Sequence, residues 1–109
     1  MRQHELWWAD LPEPIGRRPV LLLSRDQAYR ILNRVTVAEV STTIRNIPVE
    51  VDLGPDEGLP RACVANLDNM HAVAIKRLTS KIGRLAADRR ADVERALGYA
   101  LDIAQLKGH

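Results

Sequence analysis

Two short segments carry groups that can act on a phosphodiester. Gly16-Arg17-Arg18-Pro19 sets two guanidinium groups at the end of a loop, just before an apolar run. Ser41-Thr42-Thr43 sets three hydroxyls at the end of a β-branched run. A guanidinium offers a planar fork of donors that matches phosphate oxygens. A hydroxyl converging on the same point adds a donor for charge that develops in a transition state. Each segment also has a plain reading: surface charge for the arginines, strand-forming residues for the hydroxyl run. The three histidines, His4, His71 and His109, lack the spacing of a metal pair, so no metal site is expected. His4 and His109 sit near the chain ends, where mobility is expected. Glu50 and Asp52 share one strand face, which reads as solvated surface. Cys63 stands alone among Val and Ala, which excludes a disulfide framework and makes it a small core residue.

The elements that must position these groups follow from hydrophobic period. Glu5–Ala9 and Pro19–Leu23 read as strands, the second apolar throughout as if buried on both faces. The loop between them holds Pro12, Pro14 and Gly16. Ser24 with Gln27 three residues on predicts a capping box opening a helix over Arg25–Leu32. Val35–Val40 alternates strongly, turns at Arg45-Asn46 and returns over Pro48–Leu53, which predicts a hairpin. Ala62–Leu67 and His71–Ala74 read as separate strands joined through Asp68-Asn69, and Ile82–Leu85 as a last short strand. Val93, Ala96, Leu97, Ala100, Leu101 and Ala104 then recur at helical spacing, predicting an amphipathic helix over Ala87–Gln105. The sum is a mainly β domain with a C-terminal helix, arranged as a small barrel or roll.

A chain of 109 residues, 46% hydrophobic and 28% charged, is one globular domain spanning 1–109. No apolar run approaches the ~20 residues of a membrane span. The N-terminus lacks a hydrophobic signal core, so a cytoplasmic location is expected. Net charge is only +2, yet 13 of the 16 basic residues are Arg. That bias suits nucleic acid, although a GC-rich genome produces it as well.

Taken in order, six segments resemble the MazF/PemK family of toxins from type II toxin–antitoxin systems. They are Leu6-Trp-Trp-Ala-Asp-Leu11, Gly16-Arg-Arg-Pro-Val-Leu21, Val35 to Thr43, Ile47-Pro-Val-Glu-Val51, Leu78 to Leu85 and the final helix. The resemblance covers essentially the whole chain. It implies an SH3-like β-barrel, a homodimer, an acidic antitoxin partner, and sequence-specific endoribonuclease activity on single-stranded RNA, whether messenger, transfer or ribosomal. It implies no metal or other cofactor. By position in the family pattern, Arg18 and Ser41 carry the catalytic roles. Arg17, Trp8, Thr42, Thr43, Asp68 and Asn69 fall where the family binds RNA. The family reaction is attack of the RNA 2′-hydroxyl on the adjacent phosphorus, leaving a cyclic phosphate and a 5′-hydroxyl. The chain departs from the pattern in a short first loop whose only acid is Glu13. It also has Glu39 in place of a common Pro, Ser41 in place of a common Thr, and Asn69 in place of a common Gln. The alternatives are a gyrase-poison toxin of the same fold and a non-catalytic RNA-binding barrel.

Overall fold

In the computed structural model, residues 1–108 are described; His109 lies outside them. Among the described residues, six strands form one antiparallel sheet in the order β4-β5-β3-β2-β1-β6. The strands are β1 (Glu5–Asp10), β2 (Arg17–Leu22), β3 (Arg34–Ser41), β4 (Glu50–Leu53), β5 (Cys63–Ala74) and β6 (Leu78–Arg84). Helix α1 (Ala28–Ile31) follows β2, and α2 (Arg90–Leu101) and α3 (Ala104–Lys107) close the chain.

The apolar run of β2 is buried on both faces. Leu21 packs with Leu6, Ala38, Val40, Val51 and Leu67 under Val93 and Ala96 of α2. Its neighbours Val20 and Leu22 pack on the other face with Ala9, Val35, Val37 and Val73 under Ala28 of α1. Period-two alternation thus supplies both cores from one strand. β4 and β6 are the free edges of the sheet, so the barrel is not closed by hydrogen bonds. A 3-10 turn at Pro55–Glu57 packs against β6 in the gap. Gly83 of β6 lies so close to the Glu57 carbonyl that a Cβ there would collide with it.

Several local expectations are corrected. The Ser24 hydroxyl does not cap a helix; it accepts from the Thr36 N–H at 2.8 Å, and α1 shrinks to one turn. The Pro48–Leu53 segment does not pair with β3, because β5 inserts between them. Asp68-Asn69 do not separate two strands. They lie within the continuous β5, in a bulge where Asn66 to Asn69 oppose the single residue Glu39 of β3. The last strand begins at Leu78 rather than Ile82. The final helix breaks at Asp102, which adopts a left-handed conformation, and α3 folds back so that Leu106 meets Gly98. His4 is not a loose end. Its N–H donates to Leu22 O and its carbonyl accepts from the Leu85 N–H, stitching the chain start to β2 and the end of β6.

Candidate active site

Arg17 and Arg18 open β2, and alternation sends them to opposite faces of the sheet. The Arg17 guanidinium lies over the Trp8 ring, 4.4 Å from its centroid. Trp8 is half-buried rather than exposed. With Pro19, Val40, Ser41 and Thr42 it lines a small hollow of about 180 Å³. A flat ring capped by a cation is a platform on which a base can stack.

Arg18 faces the other way. Its Nη1 is 3.8 Å from Oε1 of Glu39, and its side chain is 37% exposed. Val20 pairs with Glu39, and both strands run at least two residues further, so Arg18 and Ser41 occupy the same end of the sheet. Ser41 Oγ accepts the Thr43 N–H at 3.0 Å, which leaves its own O–H to donate outward. Thr42 and Thr43 follow on exposed backbone. Arg18, Ser41, Thr42, Trp8 and Arg17 therefore gather at one sheet end, but Arg17 and Arg18 serve different faces of it. Asp68 and Asn69 are exposed on the β5 bulge beside Glu39. Glu13, the acid of the first loop, is exposed there and makes no ion pair with Arg18 among the described residues.

Two residues of this site were not among the sequence candidates. Glu39 is only 7% exposed, and its second oxygen, Oε2, lies 2.8 Å from Nε2 of His71. One buried carboxylate thus holds a guanidinium on one oxygen and an imidazole on the other. The signal for Glu39 was present: it follows Val35 and Val37 on an inward period, where a charge needs a partner. No such signal existed for His71. It reaches Glu39 as a diagonal neighbour, since His71 pairs with Val37, and the bulge that sets this register is invisible in sequence. Cys63 is buried, and burial pushes its thiol up, with the Glu57 charge adding to the shift, as suits a packing residue. Glu50 does more than face solvent: its carboxylate accepts the N–H groups of Arg45 and Asn46 and so shapes the turn after the hydroxyl run.

The profile of the PemK-like, MazF-like toxin of type II toxin-antitoxin systems matches residues 2–101. The chain belongs to this toxin family. It is 42% identical over 102 residues to the "Probable endoribonuclease MazF5" of Mycobacterium tuberculosis, covering 93% of each chain. Its fold is similar to that of the Mycobacterium tuberculosis toxin MazF-mt6, with a TM-score of 0.84 at 33% identity, over 90% of this chain and 96% of that one. It is also similar to an endoribonuclease solved in complex with its cognate antitoxin from a mycobacterial species. There the TM-score is 0.83 at 26% identity, over 94% and 96% of the two chains. The family expected from the order of motifs is the family found. Among the described residues of this MazF/PemK toxin, no helix is long and apolar enough to cross a membrane.

Proposed function

We propose that this toxin is an endoribonuclease that cuts single-stranded RNA by 2′-hydroxyl attack, with Arg18 and Ser41 at the reacting phosphate. The observation that carries the reading is that the partly exposed Arg18 guanidinium and the Ser41 hydroxyl lie at the same end of the sheet. Arg18 donates to the non-bridging oxygens and stabilises the charge gained as phosphorus becomes five-coordinate. The Ser41 hydroxyl adds a neutral donor. Trp8 under Arg17 stacks a flanking base, Thr42 and Thr43 contact the backbone, and Asp68 and Asn69 meet a base edge.

The same surface suits an acidic antitoxin with apolar anchors, since a carboxylate can replace phosphate on Arg17 and an apolar side chain can enter the hollow beside Trp8. The antitoxin complex of a structural relative supports this partner. The toxin works as a homodimer in the cytoplasm. Tyr99 and Leu101, left exposed on α2, are consistent with a subunit contact.

The test is incubation of the purified chain with a long synthetic RNA in EDTA, followed by mapping of the ends. Fragments with 5′-hydroxyl ends support the nuclease. Bound but uncut RNA would instead indicate a binding barrel, and inert behaviour toward RNA with inhibition of gyrase would indicate the gyrase-poison branch. Light scattering at micromolar concentration checks the dimer; a stable monomer would refute it.

A further inference from the structure

We propose that His71, held by Glu39, accepts the proton of the attacking RNA 2′-hydroxyl; the inference rests on the RNA-cleaving reading above. The reaction needs a base, and Arg18 cannot be one because a guanidinium keeps its proton. Ser41 is a neutral donor. Glu39 itself is buried, with both oxygens engaged. His71 shares that carboxylate with Arg18, yet its side chain remains 34% exposed.

The hydrogen bond decides which ring nitrogen is available. A carboxylate only accepts, so Nε2 carries the proton that faces Glu39 and Nδ1 presents a lone pair. Among the described residues, Glu39 is the ring's only polar partner. The imidazole lines a cleft of about 350 Å³ together with Asp10, Arg34, Lys76 and Arg77. Three cations against one acid suit the passage of a polyanion, and His71 links this cleft to the carboxylate that also holds Arg18.

The step balances as follows. The 2′-oxygen forms a bond to phosphorus and the bond from phosphorus to the 5′-oxygen breaks. The 2′-hydroxyl proton passes to Nδ1, and the departing 5′-oxygen takes a proton from water. The imidazolium, stabilised by Glu39, then returns its proton to solvent. Glu39 is the positioning residue: it fixes the tautomer and orients the ring, as the acid of a Ser-His-Asp triad does.

His71→Gln tests this, because the amide can still donate to Glu39 but has no basic lone pair. Single-turnover cleavage of a defined RNA should slow about 100- to 10,000-fold. RNA affinity and Tm should stay near wild type. The acid limb of the pH–rate profile, where a protonated base is useless, should vanish. His71→Ala should regain part of its rate when imidazole is added. Cleavage by His71→Gln within a few-fold of wild type overturns the assignment. So does slow cleavage that keeps the wild-type acid limb and shows no rescue by imidazole, which would mark His71 as structural support. If the wild-type chain leaves RNA uncut, the RNA-cleaving reading itself has failed; if it cuts and His71→Gln cuts as fast, only the role of His71 has.

Discussion

Arg18→Ala separates catalysis from stability. The guanidinium is 37% exposed and stands 3.8 Å from Glu39, so the pair itself contributes no more than about 1 kcal/mol. Glu39 also keeps its second partner, since His71 remains at 2.8 Å. In a domain of this size ~1 kcal/mol corresponds to a fall in Tm of about 4–8 °C, which is the upper bound expected. The effect on rate is far larger. Removing one preorganised donor aimed at transition-state charge costs roughly 100- to 1000-fold, or about 2.7–4 kcal/mol of barrier. Arg17→Ala is the matched control, because Arg17 lies over Trp8 on the other face. It should leave the bound-state rate nearly unchanged, weaken binding, and lower the salt slope by about 0.7 for one lost phosphate contact on a single strand. The assay is single-turnover cleavage of labelled RNA in EDTA, with Tm by circular dichroism and binding by salt titration. If Arg18→Ala melts near the parent and still cuts at the parental rate, the active site is not here. The same would follow if Arg17→Ala proved the slower of the two under saturating protein.

Other outcomes follow from the same geometry. Ser41→Ala should slow saturated cleavage about 2- to 13-fold, less than Arg18→Ala, because a neutral hydrogen bond contributes roughly 0.5–1.5 kcal/mol; a loss as large as that of Arg18→Ala would make Ser41 more than an auxiliary donor. Gly83→Ala drives a methyl onto the Glu57 carbonyl and should destabilise by about 1–3 kcal/mol, read as a lower denaturant midpoint; an unchanged midpoint would mean that β6 and the 3-10 turn are not in firm contact. Burial, and after it the Arg90 charge, holds the His4 imidazole below its ordinary value of 6.5, with Glu94 and Asp26 opposing. The unfolded chain therefore binds that proton more readily, so His4 contributes stability that is full above 6.5 and is lost as pH falls toward the lowered value. His4→Asn, which tolerates the left-handed backbone at φ 69°, should flatten that part of the curve of Tm against pH; an unaltered slope would assign it to another group.

Much of this protein was legible in its sequence because much of it is set by local period. β2 carries an apolar run from Pro19 to Leu22 whose length and β-branched Val suit a strand sandwiched between two cores. The alternation of Val35 and Val37 with Thr36 marked β3, and the 3.6-residue recurrence of Val93, Ala96 and Leu97 marked the helix that covers one face. The ordered motifs were enough to point to the toxin family, because each holds a chemical type at a set distance from a strand end. Tertiary structure decided the rest. Ser24 looked like a helix cap, but its hydroxyl found the Thr36 N–H across the fold, a partner that does not exist until β3 docks. The hairpin from β3 to β4 looked sound locally, but β5 took the place between them, since hydrogen-bonding partners in a sheet are chosen by the whole fold. Arg17 and Arg18, adjacent in sequence, were parted to opposite faces by the pleat. Above all, His71 was one unremarkable histidine until a bulge in β5 set four residues against Glu39 and carried the ring to a buried carboxylate 32 positions away. A local pattern encodes which face a residue takes; a contact between distant strands depends on register, and register is settled only when the strands pair.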